Sequence, residues 1–226
     1  MKILKVYWQN PISRERFEVG ELSYDNDVYS FQYIDNFEEL RQKGFCELFP
    51  FLDARMVYTS KKMFSIFSSR LPDKKQIGIE KILKKYGLTE YNEFELLARS
   101  CGRVPGDTLE FIEPINEKVQ NPIKFYIAGV SHYSYCKKNS KIVEDIPQGS
   151  LLECKPEPEN KYDKNAVALL WNKRKLGYVP KYYSEFFSKT IFKGKKIIVK
   201  VVESNLLCSD VIECRMCVEV EAEILS

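Results

Sequence analysis

The sequence predicts an α+β protein of two small domains. The first is a β-rich, partly helical subdomain; the second is a small β-barrel of the OB/SH3 kind carrying one or two helices. Three observations lead there. The 226 residues suffice for one large domain or two small ones, at ~100–200 residues per domain. Short segments of strand period far outnumber helical ones. Between them lies EPINEKVQNP (Glu113–Pro122), with two Pro and little apolar content, which reads as a linker. The predicted boundaries are 1–113, a linker at 114–122, and 123–226.

In chain order, Ile3–Trp8 and Phe17–Leu22 are strand-like. Tyr29, Phe31 and Tyr33 alternate with polar residues as a half-buried strand requires. Asp73, following Pro72, is a suitable N-cap for a helix running through Ile77, Ile82, Leu83 and Tyr86 to Gly87. Asn92 opens a second helix, with Glu95 as capping-box partner, through Phe94, Leu97 and Ala98 towards Gly102. Leu109–Ile112 is a strand. Beyond the linker, strands are predicted at Lys124–Val130, Leu151–Lys155, Ala166–Trp171, Lys175–Val179, Ile197–Val202 and Val218–Ile224, with a helix at Tyr182–Phe192.

Composition narrows the class. Apolar residues at 44% and charged residues at 30% are ordinary for a globular protein, and no apolar stretch approaches the ~18 residues of a membrane span. The opening MKILKVYWQNPISR has a charge at Lys5 and no cleavable apolar core, so no export signal is expected and the seven Cys read as reduced thiols in a cytoplasm. The net charge of +3 hides an asymmetry. Residues 1–123 carry 18 Lys and Arg against 19 Asp and Glu, whereas residues 124–226 carry 17 against 13. Within 160–200 there are 11 basic residues against Asp163 and Glu185 alone. That excess reads either as a solvated face or as a surface for a polyanion.

Enzyme signatures are missing. No GxGxxG or GxxxxGK[ST] occurs, and a single histidine, His132, excludes a multi-His metal centre. Cys214 and Cys217 form one CxxC with Cys208 nearby, weak evidence for zinc, which wants four ligands; a half-site completed by another chain is the alternative to core cysteines. In a strand their odd spacing sends them to opposite faces, so they read as core cysteines. No catalytic residue, metal or cofactor is expected.

The most specific pattern lies between Phe125 and Lys181. It comprises FYIAGVSHY (Phe125–Tyr133), ECKPEPENKYDKNAVALL (Glu153–Leu170) and KLGYVPKYY (Lys175–Tyr183). The three blocks, in this order, resemble the HIRAN domain over roughly residues 124–205. The resemblance implies a small β-barrel that binds DNA, specifically the 3′-hydroxyl end of a single strand. The implied site comprises His132, Tyr133, Asn160, Tyr162, Asp163, Lys164, Tyr178 and Lys181. Asp163 can accept a hydrogen bond from a terminal sugar hydroxyl. Tyr162, His132, Tyr133 and Tyr178 offer ring faces for unpaired bases. Lys181 and Lys164 can neutralise phosphates. An alternative stands beside this one: YDKNAV is a turn scaffold, with Asp163 capping backbone amides. Ser131 marks a departure, since DNA-end-binding members have a basic residue there, and Tyr178 stands where a His can occur. General nucleic-acid binding is therefore the broader expectation.

In the first half, FSSRLPD (Phe67–Asp73) and FELLARSCGRVPGDTLEFI (Phe94–Ile112) resemble the N-terminal subdomain of HipA-type toxin kinases, over about residues 3–112. The kinase body does not follow, so the resemblance implies an adaptor that packs on another protein, not a kinase. Arg103 reads as a structural turn residue and Gly106 as a left-handed position. Together these features predict a bacterial, cytoplasmic, non-enzymatic protein whose partner is DNA. The alternative is an antitoxin-like interaction subunit that packs on a HipA-type kinase.

Overall fold

The computed structural model describes residues 1–13, 15–104, 107–115, 122–133, 146–204 and 218–225. The chain forms two compact units, 1–114 and 115–226. Most of the predicted linker, Gly106, the side chain of Ser131, and Cys208, Cys214 and Cys217 lie outside the described residues.

The N-terminal unit is a five-stranded antiparallel sheet. Its strands are β1 (Lys2–Gln9), β2 (Arg16–Asp25), β3 (Val28–Tyr33), β4 (Tyr58–Ser60) and β5 (Leu109–Ile112), in the order β4-β3-β2-β1-β5. Period-two alternation places Leu4, Val6 and Trp8 of β1 and Tyr29, Phe31 and Tyr33 of β3 in the core. Asn26 and Asp27, both at positive φ, make the two-residue turn that matches the twist of β2 and β3. Phe31 packs on Phe51 and Phe67 with ring centroids 4.5 and 5.3 Å away, and Phe67 on Phe111 at 5.1 Å.

Short helices α1 (Phe37–Gln42), α2 (Ser65–Ser68), α3 (Ile79–Lys85) and α4 (Glu93–Ser100) complete this unit. Two expectations need correction. The helix predicted from Asp73 begins only at Ile79, because Gly78 sits at φ +84° and interrupts it. Asp73 instead caps a local turn, accepting from Lys75 N at 2.7 Å. Asn92 caps α4 as expected, accepting from Glu95 N at 3.0 Å, but the Glu95 carboxylate does not complete a capping box. It pairs with Lys2 at 2.5 Å and Arg99 at 4.0 Å.

The two HipA-like segments meet through arginine. Arg70 of FSSRLPD donates to Gly102 O at 3.2 Å and pairs with Asp107. Arg103 and Arg16 converge on the buried Glu110 at 3.4 and 3.2 Å. Burial would raise that carboxyl, but the two guanidinium groups win and hold it below its ordinary value. Arg103 is structural, as its turn position suggests.

The C-terminal unit has β6 (Ile123–Tyr126), β7 (Leu151–Pro156), β8 (Val167–Trp171), β9 (Arg174–Tyr178), β10 (Lys196–Ser204) and β11 (Val218–Leu225), with helix α5 (Lys181–Phe192). The sheet order is β6-β11-β10-β7-β8-β9, all antiparallel. β6 is shorter than predicted, since Gly129 at φ +76° turns the chain into a 3-10 turn over Val130–His132. Helix α5 packs on β8 and β10, burying Tyr183 and Phe187. Phe187 meets Phe125 edge-on at 5.6 Å.

The sheet is a half-barrel whose outer strands meet. Ala128, just past β6, pairs with Tyr178 of β9 through two hydrogen bonds of 2.9 Å. This seam explains the glycine of KLGYVP. A Cβ on Gly177 would collide with the carbonyl oxygen of Ala128 and lie 2.7 Å from Ile127 Cγ2. Gly177→Ala should therefore destabilise the C-terminal unit by about 1–3 kcal/mol through overpacking. A melting temperature equal to that of the wild type would contradict so close a seam.

Candidate nucleic-acid interface

The seam brings the ends of three segments together: the turn after β6, the loop between β7 and β8, and β9 with the start of α5. The loop EPENKYDKNAV is rigid because its own polar side chains satisfy its backbone. Asn160 Oδ1 accepts from the amides of Tyr162 and Asp163 at 3.0 and 3.3 Å. Asp163 Oδ1 accepts from Asn165 N at 2.9 Å, and its Oδ2 accepts from the buried Ser184 hydroxyl at 2.7 Å. Ser184 lies in the first turn of α5, so Asp163 fastens the loop to the helix that begins at Lys181.

Tyr178 stands at the centre of a second network. Its hydroxyl donates to Glu157 Oε2 at 2.9 Å and accepts from Asn160 Nδ2 at 3.2 Å and Lys175 Nζ at 3.1 Å. Lys175 is also paired with Glu157 Oε1 at 2.5 Å. The Tyr133 ring meets that of Tyr178 at 6.1 Å and 62°. Burial and a hydrogen bond to Tyr178 push the Tyr133 phenol up to about 12. Burial works against the Lys175 ammonium, but hydrogen bonds to Glu157 and Tyr178 outweigh it and lift the group to about 12. Burial would likewise raise Glu157, yet the donors Lys175, Tyr178 and Asn160 prevail and hold it below its ordinary carboxylate value.

Of the eight predicted site residues, Tyr133, Asn160 and Tyr178 share one network, and Asp163 and Lys181 adjoin through Ser184. Tyr162 is 78% exposed, with Lys161 Nζ 4.7 Å from its ring centroid. His132, Lys164 and Lys181 are exposed. Both oxygens of Asp163 already have donors within the protein, the geometry of a turn scaffold, although each oxygen keeps a lone pair for a further donor.

Glu157 and Lys175 are participants that sequence reasoning missed. In a regular strand, Lys175 and Tyr178 would face opposite ways, being three residues apart. Between Leu169 and Leu170 the β8–β9 pairing skips Leu176, a bulge that returns both side chains to one face. The signal available was the glutamate opening the EPENKYDKN block.

Comparison with known families follows this division. Residues 121–221 match the HIRAN domain and residues 11–110 match the HipA N-terminal domain. The chain thus carries a match to the HipA N-terminal domain followed by a match to the HIRAN domain, and the latter supports a nucleic-acid-binding module. Among solved structures, the HIRAN domain of human HLTF is similar at 13% identity and a TM-score of 0.35, over 46% of this chain and 74% of that one. A protein from Lactobacillus plantarum is similar at 14% identity and a TM-score of 0.35, over 47% of this chain and 93% of that one. No curated protein matches the chain.

The lowered Glu157 gives a pH signature. Its contribution to stability is fully present above its ordinary value of 4.5 and is lost as pH falls through the lower folded-state value. Glu157→Gln should lower the melting temperature at neutral pH, with the gap closing as pH falls below 4.5 through the lower folded-state value. A gap that persists or widens in acid would show that the carboxylate is not held by these donors.

Proposed function

We propose that the C-terminal unit binds single-stranded DNA at its seam, with preference for a free 3′-hydroxyl end, and that the chain acts as a binding protein and not as an enzyme. The observation that carries this reading is Tyr162. A large aromatic ring 78% exposed on a loop made rigid by Asn160 and Asp163 is a stacking platform held in advance of its ligand. Exposed lysines 161, 164 and 181 accompany it to meet the backbone. Asp163 suits a strand end, because a carboxylate accepts from a hydroxyl and repels an internal phosphate.

Binding of labelled oligonucleotides ending in 3′-hydroxyl, 3′-phosphate or a blunt duplex tests this reading. With three lysines on phosphates, log K should fall with log[salt] at a slope of about −2 for a single strand. Salt-independent affinity, or no binding at low salt, would contradict it. Tyr162→Ala should weaken single strands by about 1–3 kcal/mol. Asp163→Ala should abolish the preference for a hydroxyl end while leaving general binding intact. If the variant melts early and keeps the wild-type ratio of hydroxyl to phosphate ends, Asp163 is scaffold alone.

A second role fits the N-terminal unit. Phe49, Leu52, Met56 and Val57 are all more than half exposed within one short segment, the kind of apolar surface that marks a protein contact. A HipA-type kinase is the partner this reading names. Co-purification of such a kinase with the wild type but not with Leu52→Glu would support it; equal recovery would remove it.

A further inference from the structure

Lys175 sits in the basic stretch of 160–200, yet its ammonium is turned to internal use. Two of its three N–H donors are placed, on Glu157 Oε1 at 2.5 Å and on Tyr178 Oη at 3.1 Å. The same nitrogen lies 4.8 Å from the ring centroid of Tyr178 and 5.6 Å from that of Tyr133. The side chains of Lys175 and Glu157 are 27% and 25% exposed, so the pair reaches solvent at the corner between the two rings. One positive and one negative charge cancel there, and the two phenols add none. A phosphate approaching this corner meets the Glu157 carboxylate as well as the ammonium, whereas Lys161, Lys164 and Lys181 stand exposed a short way along the chain.

We propose that Lys175 is a positioning residue: clamped by Glu157, it fixes Tyr133 and Tyr178 as a charge-balanced aromatic corner that receives a neutral nucleobase and not a phosphate. The proposal rests on the reading of the seam as a single-strand site and adds the division of labour within it. Bases go to the corner and to the Tyr162 ring, and phosphates go to the exposed lysines.

The full chain is titrated with an oligothymidylate and with an abasic oligonucleotide of equal length, across a range of salt. Wild type should prefer the base-bearing strand by about 5- to 150-fold per stacked base. Lys175→Gln should bring that preference towards unity while leaving the salt slope unchanged. Glu157→Gln combined with Lys175→Gln, two amides able to hydrogen-bond each other, should recover part of it. A slope shallower by about 0.7 with equal loss on both strands would make Lys175 a phosphate contact and overturn the proposal. Equal binding of both strands by wild type would also overturn it while leaving nucleic-acid binding in place. Binding of neither strand at low salt would instead remove the reading beneath it. Should Lys175→Gln fail to fold, the double variant supplies the comparison: a preference below that of wild type at an unchanged slope supports the brace, and a wild-type preference or a shallower slope refutes it.

Discussion

The close approach of β9 to the chain just past β6 is the constraint on which the C-terminal unit depends. Two hydrogen bonds between Ala128 and Tyr178 join the outer strands of the sheet, and only a residue without a Cβ fits at position 177 beside them. From that contact the rest follows. Tyr178 is held by its own backbone, so its hydroxyl has a fixed place and can organise Glu157, Asn160 and Lys175. Asn160 in turn shapes the loop that displays Tyr162 and ties it, through Asp163 and Ser184, to α5. The pairing that joins the outer strands and the network that shapes the loop therefore share one residue, Tyr178.

The N-terminal unit is built on a different principle. Its aromatic core, centred on Phe31, Phe51, Phe67 and Phe111, is enclosed by the sheet and short helices. Arginines then lock the connecting segments: Arg70 to the turn at Gly102 and Asp107, Arg16 and Arg103 to Glu110. This half is nearly neutral while the other is basic.

Much of this architecture is legible in the sequence, for identifiable reasons. The alternation of Tyr29, Phe31 and Tyr33 survives into structure because each ring fills the core. Asn92 works as a cap because its side-chain Oδ1 accepts directly from Glu95 N. What escapes is what depends on distant chain or on backbone irregularity. β4 exists only by pairing with β3, α1 and α2 are each under two turns long, and Gly78 adopts a left-handed conformation that no periodicity announces. The candidate site divides the same way. The residue types Tyr, Asp, Asn and Lys are visible in the motif, whereas the partnership of Lys175 with Tyr133 and Tyr178 requires both the seam and the bulge at Leu176.

Amide chemical-shift mapping of the full chain, with a single-stranded oligonucleotide added stepwise, tests the central claim most directly. The account predicts shifts concentrated in residues 127–133, 157–164 and 175–182, which the barrel seam brings together, with residues 1–114 unmoved. Shifts centred on β10 and β11, or on the N-terminal unit, would contradict it.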